Sequence, residues 1–285
     1  MKVGLAQMRP VLGDVTRNYQ LHLEWINRAK QNQVELLLFP ELSLTGYHLL
    51  DLTYDVGRSV HSEEIKQLVV HSMEMDIVFG FVEHSEEHVL YNSTVYASKG
   101  EIVHIHRKVY LPTYGMFDEG RYFGKGEVIR SFPTQFGKVG ILICEDMWHA
   151  STSYLLAQDG AQIILVPANS PVRSLEQTDI GSQSFWFDNL KNQSALHSVF
   201  FLFCNRVGTE DGVSFFGSSS VVNPYGDTIA KAGMLEEQLV VAKVDLDEVR
   251  RSRLETPLLR DENLDLTIRE LTRIRQQRLE PKGWA

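Results

Sequence analysis

The chain is short of cysteine, of positive charge and of long apolar runs. Its two cysteines, Cys144 and Cys204, are too few for a disulfide framework, and in a reducing compartment both are expected as free thiols. No stretch approaches the roughly 18 apolar residues that a spanning helix needs. Residues 2–8 form a strand-like segment with no signal-peptide pattern, so a cytoplasmic protein with no membrane partner is expected. Lys plus Arg number 28 against 37 Asp plus Glu, a net charge of −9, which disfavours broad nucleic-acid binding. The basic residues Arg250, Arg251, Arg253 and Arg269 to Arg278 are interspersed with acids and read as solvated helical faces. There is no GxxxxGK[ST], no GxGxxG after a strand, no HExxH and no paired CxxC. His104 and His106 share one strand face but lack a third ligand, so no metal site is expected. Tracts typical of linkers, low complexity and repeats of fixed period are also missing.

What the sequence does have is a series of β-branched, apolar runs at 3–8, 34–39, 77–82, 93–97, 102–106, 139–144, 163–166, 199–204, 218–222 and 240–244. Several are continuously apolar, as in strands covered on both faces. Amphipathic patterns predict helices at 18–33, 62–75, 151–159 and 183–198. Glu63 and Glu64 would fall in the first turn of the second, where the helix dipole favours acids. Alternating strands and helices predict an α/β fold. The pair 93–97 and 102–106, joined through Lys99-Gly100, predicts a hairpin, and therefore mixed sheets. A single domain over residues 1–285 is the simplest organisation.

Three segments carry reactive groups. Cys144 ends the run at 139–144, a strand-end position where α/β folds place ligands, and a helix starting just after it would favour the thiolate. A lone cysteine after apolar residues is equally the signature of a small core residue, and Cys204 fits that description. Glu41 follows Phe39-Pro40 at another strand end, placed for a general base or for a helix cap. Residues 106–123 form a long aromatic and charged loop holding Lys108 and Glu119, and loops of that kind carry function more often than packing. His149 is a weaker candidate for a Cys–His pair.

Taken together, FPELSLTGY at 39–47, HRKVYLPTYGMFDEGRYF at 106–123 and GILICEDMW at 140–148 resemble the nitrilase superfamily of carbon–nitrogen hydrolases. The order Glu, Lys, Cys and the spacings of 67 and 36 residues match that family. KVGLAQM at 2–8, NRVG at 205–208 and NPYGD at 223–227 extend the resemblance to about Asp245. It implies an α-β-β-α sandwich and a catalytic set of Glu41, Lys108 and Cys144, with Glu119 as the second glutamate lining the pocket. The loop around Lys108 is similar to the glutaminase domain of glutamine-dependent NAD synthetases, which implies substrate contacts from Tyr114, Glu145 and Ser170. A synthetase domain of the kind that accompanies those glutaminase domains is not expected in these 285 residues. The arginine those domains use for a substrate carboxylate is displaced to Arg173, with Glu176 near its expected place.

The resemblance implies hydrolysis of a small linear amide or N-carbamoyl amine through a cysteine thioester, with no metal or organic cofactor. The alternatives it implies are a glutamine or ω-amide amidohydrolase feeding ammonia to a separate synthetase, and a nitrilase. It further implies a homodimer or higher homo-oligomer, with helices at 151–159 and 183–198 on the contact face; the charged, partly helical tail from about 246 is a separate candidate for packing on a partner subunit. Loops at 48–55, 110–123 and 169–187 are expected to set specificity.

Overall fold

The computed structural model describes residues 1–172 and 181–279. Arg173, Glu176 and much of the loop expected at 169–187 lie outside the described residues. The strands are β1 Lys2–Gln7, β2 Leu36–Leu38, β3 Asp76–His84, β4 Leu90–Ser98, β5 Glu101–Arg107, β6 Phe132–Thr134, β7 Gly137–Ile141, β8 Ile163–Ala168, β9 Phe200–Asn205, β10 Val207–Glu210, β11 Val213–Phe216, β12 Ser220–Val222, β13 Thr228–Lys231 and β14 Gln238–Lys243. One six-stranded sheet runs β14-β1-β2-β3-β4-β5 and a second runs β13-β12-β9-β8-β7-β6, with β10-β11 as a separate ribbon. In each large sheet the three central strands are parallel and the rest antiparallel.

Side-chain alternation along these strands builds the layers. Val3, Leu5, Leu36 and Leu38 pack between the sheets on Val139, Ile141, Ile163 and Leu165. Their alternate neighbours Leu37, Phe39, Ile77 and Phe79 face outward onto Trp25, Ile26, Ile65 and Leu68, from the helices Val15–Gln31 and Glu63–Val70. On the other side Ile164, Val166, Phe201 and Phe203 meet Leu156, Trp186 and Leu190, from the helices Ala150–Gln158 and Gly181–His197. The result is the α-β-β-α sandwich. Burial on both faces explains why the central strands read as continuous apolar runs.

Local signals mark the first two long helix starts. Asp14 caps the first helix by accepting the Arg17 N–H at 2.9 Å, satisfying an otherwise orphaned donor. Glu63 and Glu64 occupy the first turn of the next helix, as the charge pattern predicts. Two expectations need correction. β7 stops at Ile141, three residues before Cys144, so the cysteine begins a short 3₁₀ turn, Cys144–Trp148, and does not end a strand. The strands β6, β10, β11 and β13 were not anticipated, because three or four residues are too few to show a period.

Beyond residue 246 the helix Asp247–Glu255 packs on its own chain. Val249 joins the inter-sheet core and Ser252 hydrogen-bonds Ser198 at 2.9 Å. The helix Leu264–Leu279 buries none of its residues. Among the described residues no helix is long and apolar enough to cross a membrane.

Candidate active site

Glu41 owes its place to a break in the β2 ladder. Pro40 has no N–H to donate, so pairing cannot continue through it. The chain swings across β3 instead, with Phe39 N–H on the Val78 carbonyl at 2.8 Å and Leu44 N–H on the Gly80 carbonyl at 3.0 Å. Gly80 makes that crossing possible: a Cβ there would lie 2.4 Å from the Leu42 nitrogen. The Glu41 carboxylate is completely buried. Asn92 Nδ2 donates to its Oε1 at 2.8 Å and the Asn169 backbone N–H to its Oε2 at 2.9 Å, from β4 and from the end of β8.

Lys108 follows the last residue of β5 and is also fully buried. Its N–H donates to the Asn92 carbonyl at 2.9 Å, and its Nζ donates to Glu41 and to Glu119 at 2.7 Å each. Burial alone would lower the lysine pKa. Glu119 and Glu41, with Cys144 adding to them, outweigh burial and hold it well above the ordinary value, so the ammonium stays charged. Burial raises the Glu119 pKa to about 7 against the pull of Lys108, with Glu41 pushing it the same way as burial. Tyr47 donates its hydroxyl to Glu119 Oε1 at 2.6 Å. The other oxygen, Oε2, has no hydrogen-bond partner among the described residues.

Cys144 adopts φ of +46°, a left-handed conformation that costs a non-glycine residue about 1–2 kcal/mol. Such strain persists only where neighbours over-determine it, and Asp146 does so here. This fully buried carboxylate accepts the Ile143 N–H at 3.0 Å, the Val109 and Tyr110 N–H groups at 3.0 and 2.9 Å, and His106 Nε2 at 2.8 Å. One side chain thus ties the cysteine turn to the lysine loop. The net shift at Cys144 runs opposite to the thiolate that a helix start after it would favour. Burial and the Glu41 carboxylate push the thiol well above its usual range, and Lys108 only partly offsets them.

A pocket opens over the thiol, lined among others by Tyr47, Phe117, Glu119, Glu145, Trp148 and Ser170. The half-exposed Tyr114 donates to the Glu145 carboxylate at 2.9 Å. The buried Ser170 hydroxyl accepts Trp186 Nε1–H at 2.8 Å. The structure therefore gathers Glu119, Cys144, Glu145 and Ser170 around one cavity, with Tyr114 bonded to Glu145, Lys108 bonded to Glu119 and Glu41 bonded to Lys108. His149 is not part of it: its ring stacks on Tyr110 at 3.5 Å. Cys204 sits between the sheets, its thiol donating to the Leu38 carbonyl at 3.2 Å.

Sequence reasoning missed Tyr47, Asn92, Asp146 and Asn169 as contributors. Tyr47 and Asp146 stand inside the quoted motifs, so a search for polar residues near Glu41 and Cys144 would have found them, whereas Asn169 is marked only by the apolar run at 163–166 before it. Asn92 gave no signal, because only the pairing of β3 with β4 brings it to Glu41.

Comparison with known proteins places the chain by family. It belongs to the carbon–nitrogen hydrolase family, whose model matches residues 2–254. A glutamine-dependent NAD(+) synthetase of Acinetobacter baylyi is 31% identical over 89% of this chain but only 46% of its own length. The chain thus spans about half the length of the NAD synthetases it matches. A probable nitrilase of Schizosaccharomyces pombe is 29% identical over 89% of this chain and 92% of its own. A carbon–nitrogen hydrolase structure from Helicobacter pylori superposes with a TM-score of 0.86 at 23% identity, covering 95% of this chain and 98% of that one, a likeness of fold.

Proposed function

We propose that the protein hydrolyses a small linear amide or N-carbamoyl amine through a thioester on Cys144. The observation that carries this reading is the buried Lys108 ammonium bridging Glu41 and Glu119, with all three charges acting on the Cys144 thiol. Because burial and the Glu41 carboxylate hold the thiol pKa above its ordinary value, attack calls for a base. Glu41 takes the proton as Sγ bonds to the substrate carbonyl carbon. Lys108 and the Glu145 backbone N–H face the resulting oxyanion. The C–N bond then breaks and Glu41 returns the proton to the departing nitrogen. Water, deprotonated by Glu41, cleaves the thioester and restores the thiol. Glu119 orients the substrate, its unpartnered oxygen accepting from the amide nitrogen, while Tyr114, Glu145 and Ser170 contact the rest of the molecule. These steps need no metal or organic cofactor.

Similarity to the glutamine-dependent NAD synthetases, at 31–32% identity, favours a second reading in which glutamine or an ω-amide is the substrate and the ammonia goes to a separate synthetase. We also propose a single-domain cytoplasmic enzyme that works as a homo-oligomer. The helices Ala150–Gln158, Gly181–His197 and Leu264–Leu279 would supply the contact face, where Leu155, Leu196, Ile268 and Leu271 are exposed.

The deciding experiment measures ammonia release from glutamine, ω-amides, short aliphatic amides, N-carbamoyl amines and nitriles, with Cys144→Ala as the blank. Cys144-dependent release from a linear amide or carbamoyl amine supports the first reading. A preference for glutamine supports the second, and a preference for nitriles overturns both. Light scattering of the purified chain tests the oligomer, and a monomer at micromolar concentration overturns it.

A further inference from the structure

Asn205 and Arg206, at the end of β9, take no part in the chemistry proposed above, yet both side chains are completely buried. Asn205 serves one wall of the pocket: its Oδ1 accepts the Ser170 N–H at 2.8 Å and its Nδ2 donates to the Gly217 carbonyl at 3.1 Å. Arg206 connects through Glu210 to the lining residue Tyr47. Its guanidinium lies 4.4 Å over the Phe215 ring, Nη2 donates to the Pro10 carbonyl at 3.3 Å, and Nη1 pairs with Glu210. Glu210, itself 5% exposed, uses its other oxygen to accept the backbone N–H groups of Tyr47 and His48 at 3.1 and 3.0 Å. Gly46 permits this close seating, with φ of +79° and no Cβ to meet Glu210 Oε1 at 2.9 Å. From that anchored backbone Tyr47 sends its hydroxyl to Glu119.

A buried ion pair contributes little net stability, because desolvating both charges offsets their attraction. What it adds is direction: charge-assisted bonds to two consecutive N–H groups hold a loop in one place. We propose that the Arg206–Glu210 pair is the positioning element for Glu119, clamping the Tyr47–His48 backbone so that the Tyr47 hydroxyl keeps the Glu119 carboxylate where it meets substrate. This rests on the thiol-hydrolase reading above.

The test uses iodoacetamide, a small amide-bearing electrophile, and follows the pH dependence of Cys144 alkylation in the full chain. Glu119 faces Lys108, Glu41 and Tyr47, and its charge acts on the thiol, so its titration should put a bend in the wild-type profile. The Tyr47 bond favours the charged carboxylate, and losing it moves the bend upward. Tyr47→Phe, Glu210→Asp and the paired change Arg206→Met with Glu210→Gln should each shift the bend up, by as much as about one pH unit, the worth of one hydrogen bond. The paired variant removes both charges together and should retain a near-native Tm. If it folds poorly, Glu210→Asp, which keeps the charge but shortens the reach, decides alone. A bend that stays at the wild-type pH in the Glu210 variants while Tyr47→Phe moves it makes the pair merely structural and overturns the proposal. A bend unmoved by Tyr47→Phe overturns it too. A wild-type Cys144 that refuses iodoacetamide overturns the thiol-hydrolase reading, and with it this proposal.

Discussion

The two large sheets are built alike and equipped differently. Counted from β5 in one and from β13 in the other, the pairings run antiparallel, antiparallel, parallel, parallel, antiparallel in both. In that correspondence β1 matches β7, β2 matches β8 and β5 matches β13. Yet Glu41 follows β2 and Asn169 ends the matching segment after β8. Cys144 follows β7 where the first half has apolar Met8. Lys108 follows β5 where the second half has buried Ala232. One half supplies the acid and the cation, the other supplies the thiol, and Asp146 and Asn169 bond across the seam. Neither sheet holds a complete set of groups. Two similar scaffolds, facing each other, let the thiol approach the charged groups from a different direction, which one strand end cannot arrange.

The division can be broken at its largest contrast first. Cys144→Ala should reduce ammonia release by roughly 10⁴-fold or more while leaving Tm within a few degrees, since it removes the nucleophile that attacks the substrate carbonyl in the proposed steps. A mutant that keeps most of its turnover ends the thiol mechanism. Lys108→Met should lose about 10²–10³-fold in activity. It should also lose about 3–5 kcal/mol in urea unfolding, because Glu41 and Glu119 are left buried without their cation. Adding Glu119→Gln should recover part of that stability but none of the activity.

A finer contrast lies between two strand glycines. Gly80→Ala sets a Cβ against the Leu42 backbone, whereas Gly140→Ala meets the flexible end of Leu156 at 2.5 Å. Each should cost about 1–3 kcal/mol. Only the first should depress activity beyond its effect on stability, because the obstructed backbone carries Glu41. Equal activity loss in both would remove the special status of the Gly80 crossing.

The smallest effect is one of pH. The folded pKa of Glu119, about 7, lies above the ordinary carboxylate value of 4.5. The native state therefore holds this proton more tightly than the unfolded chain, and the group's contribution to stability is full below pH 4.5 and falls as pH rises to about 7. The Tm of Glu119→Gln relative to wild type should accordingly climb between those values and level off above them. A difference that is flat with pH would mean Glu119 is ionised throughout.

Much of this site was legible along the chain because each reactive group follows an apolar run and sits in a dense local motif. Glu41 after Pro40, Lys108 in the aromatic loop and Cys144 before two acids are all signals within a few residues. Less visible were the groups that hold them. Asn92 lies 51 residues from the carboxylate it bonds and Glu210 lies 163 from the Tyr47 nitrogen it accepts. Sequence spacing carries no trace of such contacts. The repeated sheet topology was hidden for a similar reason. Pairing direction is set by burial pattern and connection geometry, which many sequences satisfy, so two like halves need not share residues.

By itself the sequence determined the layered α/β class, the covered central strands and the identity of the charged groups, because periodicity and strand-end position are local properties of a polymer. It also pointed, by resemblance, to carbon–nitrogen hydrolysis. Only the tertiary structure decided the protonation landscape. Whether Cys144 rests as thiol or thiolate depends on burial and on three charges brought from distant segments. The backbone turn after it had suggested the opposite sign. Desolvation and Coulomb energy depend on distance through space, and only the packed fold sets those distances.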